Sequence, residues 1–114
     1  MAFHRGAVAI VDFAAAGAGG KKVRPVVVVS NDVANHFSGA LTVVLITEWD
    51  EKKSKLPVCI DLPRGIGGTT KRSIVHCGQI HTVKRQFMRE TKSSIPALLL
   101  ERVDSALRLH LALR

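Results

Sequence analysis

Apolar and polar positions alternate in short blocks through most of the chain, and the blocks predict strands. Val8, Ile10 and Asp12 alternate with Ala9, Val11 and Phe13, which predicts a first strand over residues 7–13. Residues 14–22 are rich in Ala and Gly and end in two lysines; Gly17, Gly19 and Gly20 disfavour a helix and predict a loop. Arg24-Pro25 then opens an unbroken valine run over residues 26–29. Proline suits the start of a strand, where no ladder donor is needed, and a continuous apolar run predicts burial on both faces. Asn31 and Asp32 suit the cap of a short helical turn reaching Asn35. Further strands are expected over residues 41–47, 58–62 and 73–77, the last running to Gln79 or beyond. Residues 48–55 read as a charged loop, 63–68 as turn material and 83–88 as a helical turn.

The period changes near the C-terminus. Ser94 or Ile95 suits a helix cap with Pro96 in the first turn. Leu99, Val103, Ala106, His110 and Leu113 follow at helical spacing, with Leu100, Leu107 and Leu111 beside them. Glu101, Arg102, Asp104 and Arg108 occupy the other side. About five short strands followed by one amphipathic helix predict a mainly β, α+β domain over residues 1–114: a small twisted, partly closed antiparallel barrel with the helix packed on it.

Charge narrows the partner. Seventeen Lys and Arg against nine Asp and Glu leave +8 on 114 residues, which favours a polyanion, nucleic acid before membrane. Cys59 and Cys77 are too few for a disulfide scaffold and fit buried thiols in a reducing, cytoplasmic setting. Residues 1–18 have a basic start and a small-residue stretch, but Asp12 cuts the apolar run short of the ~7–15 residues that a secretory signal needs. No apolar stretch approaches the ~20 residues of a membrane span.

Several motifs fail on spacing. Gly20-Lys21 is not a phosphate loop, because Ala15 and Lys22 stand where Gly and Ser or Thr are required. His76, Cys77 and His81 lack the paired spacing of zinc sites, and adjacent strand residues point to opposite faces, so neither a metal nor another cofactor is expected. No Gly-x-Ser-x-Gly occurs.

Other residues form a connected pattern. Arg5-Gly6 and residues 8–13 lead to Gly19-Gly20-Lys21-Lys22-Val23-Arg24-Pro25, the valines and Ser30-Asn31-Asp32. Asn35-His36-Phe37-Ser38, Ile46-Thr47, Lys55-Leu56-Pro57, Ser73-Ile74-Val75 and Gln79-Ile80-His81-Thr82-Val83 follow in order. In this the chain resembles the MazF/PemK toxins of type II toxin–antitoxin systems across nearly its whole length. The resemblance implies an SH3-like barrel shared with the topoisomerase poison CcdB, a homodimer and a cognate antitoxin. It also implies a metal-independent endoribonuclease that cuts single-stranded RNA at short sequences, leaving a 2′,3′-cyclic phosphate and a 5′-hydroxyl. The family's catalytic arginine and threonine fall on Arg24 and Thr47.

The chemistry of these residue types agrees. Attack by a 2′-hydroxyl on the adjacent phosphate adds negative charge to the phosphoryl oxygens and calls for a fixed cation, a proton acceptor and a proton donor. Arg24 offers a planar fork for phosphate, and Thr47 offers a hydroxyl at the end of an apolar strand. Lys21, Lys22, Lys52, Lys53 and Lys55 suit phosphate contacts from two loops. Trp49 suits either stacking on an unpaired base or anchoring its loop or a dimer. Gln79 and backbone amides would read the bases.

The chain departs from the family pattern at Ala7, at Gly17-Ala18, and at His76 and Gly78, where one branch carries an arginine and an aspartate. An imidazole titrating near ~6.5 exchanges protons at neutral pH, which arginine does not. His76 is therefore a third catalytic candidate, ahead of His81 and His4. Two other functions compete: a CcdB-like topoisomerase poison, which needs no Arg24–Thr47 pair, and a non-cutting module that binds nucleic acid or antitoxin.

Overall fold

The computed structural model describes residues 3–17 and 22–114. Lys21 lies outside the described residues. Six strands form one antiparallel sheet: β1 (Ala7–Asp12), β2 (Val23–Val28), β3 (Ala40–Glu48), β4 (Cys59–Leu62), β5 (Ser73–Lys84) and β6 (Met88–Ser94). The spatial order is β4-β5-β3-β2-β1-β6. Helices α1 (Asp32–Phe37), α2 (Glu51–Ser54) and α3 (Ala97–His110) complete the fold.

The valine runs explain how this sheet sits in the molecule. Consecutive strand residues point to opposite faces. Val26, Val28 and Val43 join Ala9, Val11, Phe3 and Phe13 in one apolar layer. Val27 and Val44 join Val8, Ile46 and Val75 in the other, beneath Val103 and Ala106 of α3. Both faces are thus buried, as the unbroken run predicts.

The α+β fold with its C-terminal helix is as expected, with one refinement: β4 and β6 do not pair, so the barrel is not closed. Four corrections to the sequence reading follow. β6 is a sixth strand that the pattern did not reveal; Met-Arg-Glu-Thr-Lys-Ser-Ser shows no apolar alternation, because an edge strand with a wet face buries little. The predicted turn over 83–88 shrinks to one 3₁₀ turn, Arg85–Phe87, between β5 and β6. The charged loop after β3 contains α2, whose cap is Asp50, the side chain accepting from Lys52 N. Helix α3 starts at Ala97 rather than around Ser94, since Ile95 is buried with its N–H on the Gly6 carbonyl, and Pro96 is extended and becomes the cap.

Helix α3 also buries a narrower stripe than its spacing suggests. Val103 and Ala106 are buried, whereas His110 and Leu113 are exposed. Asp104, assigned to the outer side, meets Arg5: Nη2 donates to Oδ1 at 2.6 Å. Arg5 Nε donates to the Val29 carbonyl and its backbone N–H to Asp32 Oδ1, so one residue ties the chain start to the end of β2, to α1 and to α3. No helix among the described residues is long and apolar enough to cross a membrane.

Candidate functional site

The ladder between β2 and β3 runs Val28–Val43, Val27–Val44, Val26–Leu45 and then stops. Pro25 has no N–H to continue it. The same register carried two residues further sets Arg24 across from Thr47. The proline thus ends the pairing just short of the level of these two residues.

Both residues line a groove of about 1020 Å³. Val8, Ile10, Pro25 and Ile46 give it an apolar lining. The charged lining residues are Lys22, Arg24, Lys53 and Lys71 against Glu48 and Asp50. The segment 67–70 borders it beside Thr91 and Ser93 of β6. Gly68 is required there: its φ is +79°, and a Cβ would meet Ser93 Oγ at 2.5 Å.

Thr47 is 8% exposed, and its hydroxyl is buried without a hydrogen-bond partner among the described residues. A buried unpaired hydroxyl costs about 1–3 kcal/mol, so this one is a donor held unused. Trp49 Nε1 is likewise buried and unpartnered. The Arg72 guanidinium lies 4.4 Å from the centroid of the Trp49 ring, and Arg72 Nε donates to Asp61 Oδ1 at 2.8 Å. Among the described residues no ion pair or side-chain hydrogen bond engages Arg24. Glu48 Oε1 accepts from Lys71 Nζ at 2.7 Å, and this contact, with the charges of Lys22 and Arg24, holds its carboxyl below the usual range.

The structure gathers Lys22, Arg24, Thr47, Trp49, Lys53 and Gln79 around this groove. Gln79 reaches it from a bulge, since Val44 pairs with Ile80 but Leu45 pairs with His76. Lys52 and Lys55 are exposed on and beside α2 and do not line it. Neither do the histidines. His76 sits on β5 opposite Leu45 and Cys59, and its Nδ1 accepts from Gly78 N at 3.1 Å, which puts the neutral ring's proton on Nε2. A Cβ on Gly78 would meet His76 Cε1 at 3.0 Å, so the glycine makes room for the imidazole. Burial pushes His76 below its ordinary value, and the charges of Lys53 and His110 push the same way. His81 packs edge-on against Phe13, and His4 Nδ1 donates to the Arg5 carbonyl.

The sequence reading missed Glu48, Lys71 and the segment 67–70. Glycines beside Thr69-Thr70-Lys71-Arg72 were the available signal, masked by their resemblance to an ordinary turn.

Among the described residues, four cations against two carboxylates on the groove walls define a small β protein whose groove favours a polyanion. Residues 4–111 match the family described as PemK-like, MazF-like toxin of type II toxin-antitoxin system, and the chain belongs to that family. It is 33% identical over 91 residues to Endoribonuclease EndoA of Bacillus subtilis (strain 168), covering 80% of this chain and 78% of that protein. It is 30% identical over 91 residues to Endoribonuclease MazF of Staphylococcus epidermidis, covering 80% and 75%. Among solved structures, a mycobacterial endoribonuclease in complex with its cognate antitoxin superposes with a TM-score of 0.80 at 19% identity, over 97% of this chain and 96% of that one. MazF of Deinococcus radiodurans superposes with a TM-score of 0.76 at 21% identity, over 96% of each chain.

Proposed function

We propose that this chain is the toxin of a type II toxin–antitoxin pair and an endoribonuclease that cuts single-stranded RNA without a metal ion. The observation that supports this reading is that Arg24 and Thr47, whose hydroxyl has no partner among the described residues, line one groove. Arg24 binds the scissile phosphate as a fork and offsets the charge gained when the 2′-oxygen attacks. Thr47 donates its hydroxyl to a phosphoryl oxygen. The products are a 2′,3′-cyclic phosphate and a 5′-hydroxyl end.

Lys22 and Lys53 neutralise neighbouring phosphates, with Lys21, Lys52 and Lys55 steering the strand from farther out. Trp49 and Gln79 contact bases. With one indole face taken by Arg72, Trp49 is left its other face and its edge. This reading gives His76 no direct part: its ring does not line the groove, and its Nδ1 accepts from Gly78 N. The protein works as a homodimer in the cytoplasm, one domain per chain, and a cognate antitoxin occupies the groove to silence it.

The test is incubation of the purified protein with a long single-stranded RNA in EDTA, followed by primer-extension mapping of new 5′ ends. Discrete cuts that vanish in Arg24→Ala support the reading. Intact RNA overturns it, and stalled gyrase in the same preparation would favour the topoisomerase poison.

A further inference from the structure

The cleavage step needs a proton acceptor as well as a cation, and the groove restricts the choice. Its charged lining residues are Lys22, Arg24, Glu48, Asp50, Lys53 and Lys71. The ammonium and guanidinium groups hold their protons at neutral pH and accept no more. Asp50 lies beyond the strand, at the cap of α2, where its Oδ1 accepts from Lys52 N at 2.9 Å. His4, His76 and His81 do not line the groove. Glu48 remains. It follows Thr47 at the end of β3, both residues line the groove, and the Arg24 charge acts on its carboxyl. That side chain is 80% exposed, open to a strand lying in the groove.

We propose that Glu48 is the proton acceptor of the cleavage step and that Lys71 positions and tunes it. This rests on the RNA-cutting reading above. The Glu48 carboxylate takes the proton of the 2′-hydroxyl while the 2′-oxygen forms its bond to phosphorus. The bond from phosphorus to the 5′-oxygen breaks, its electron pair stays on that oxygen, and a water molecule of the open groove supplies the proton that makes the 5′-hydroxyl. Glu48 then returns its proton to solvent, so no atom or charge is left over.

The charges around Glu48 come from three elements. Lys71 precedes β5, Lys22 and Arg24 lie at the start of β2, and Asp50 and Lys53 belong to the segment after β3. Lys71 first, and then Lys22 and Arg24, lower the carboxyl from its ordinary value. A fixed cation beside a carboxylate that takes the proton is thus assembled from two adjacent strands.

The experiment is the pH–rate profile of RNA cleavage for the full chain, Glu48→Gln, Glu48→Asp and Lys71→Met, with far-UV circular dichroism to verify folding. Glu48→Gln should lose about 100-fold or more in rate, Glu48→Asp should recover part of that loss, and Lys71→Met should move the acidic limb to higher pH. Cleavage by Glu48→Gln at the parent rate, or an acidic limb that stays in place in Lys71→Met, overturns the assignment while leaving the nuclease standing. A parent protein that leaves RNA intact overturns the nuclease reading, and the assignment goes with it.

Discussion

The Arg72 guanidinium covers one face of the Trp49 indole at 4.4 Å from its centroid, and Asp61 holds Arg72 in place through a 2.8 Å hydrogen bond. Asp61 belongs to β4, Arg72 to the segment entering β5 and Trp49 to the segment leaving β3, so three parts of the chain fix one ring beside the groove.

Trp49 is the only tryptophan, so its emission reports on this arrangement alone. Arg72→Ala should shift the emission to longer wavelength and increase quenching by acrylamide, with a stability loss of about 0.5–1 kcal/mol. An unchanged spectrum would show that the stack does not persist in solution.

Thr47→Val keeps the side-chain volume and removes the unpartnered hydroxyl. We expect stability to hold or rise by up to ~1 kcal/mol, since no buried donor is left unpaired. Cleavage should fall about 100-fold, the usual effect of losing one transition-state donor. A variant that is less stable yet fully active would assign Thr47 to packing alone.

Arg5 and Asp104 are both mostly shielded, at 28% and 31% side-chain exposure. Asp104→Ala should cost about 1–2 kcal/mol in urea unfolding. Arg5→Ala should cost more, because it also frees the Val29 carbonyl. A double-mutant cycle with no coupling between the two positions would remove this tie from the account.

Cys77 is fully buried, and that burial pushes its thiol up to about 12 from 9.0, with Cys59 and Asp104 adding to the shift. Above pH 9 the unfolded chain loses this proton while the folded chain keeps it. The stabilisation is complete below pH 9 and drains away between there and about 12. Cys77→Ala should lower stability at neutral pH but flatten its decline in alkali, read as unfolding midpoint against pH; a decline as steep as the parent's would contradict the shift.

For His76 the sign is reversed. Its folded value lies below 6.5, so its contribution is present above that pH and lost as the pH falls through the folded value. His76→Ala should therefore soften acid unfolding while leaving the acidic limb of RNA cleavage where it is. A limb that moves with this substitution would return the imidazole to the reaction.

How much of this was legible beforehand depended on how strongly each residue is constrained by its immediate neighbours in sequence. The valine runs declared a sheet buried on both faces, and Pro25 marked where pairing would end. Asn31 announced α1 correctly, its Oδ1 accepting from Ala34 N. β6 stayed hidden because an edge strand stabilised by backbone pairing needs no apolar pattern. Glu48 stayed hidden for another reason: as a lone carboxylate in a charged stretch it resembles solvated surface. Only the fold brings Lys71 against it from 23 residues away. For His76 the sequence declared the chemistry of a strand histidine but not the face it occupies, which lies off the groove.

The two free rims of the sheet have one more consequence. β4 has only four residues, with its Asp61 engaged by Arg72, and β6 presents Arg89, Glu90 and Lys92 to solvent. Rows of unpaired N–H and C=O groups invite copies of a chain to zip together, and shortness and charge at a rim oppose this. The molecule can therefore leave its sheet unclosed, with a cleft along it, while its rims oppose the edge-to-edge growth that builds fibres.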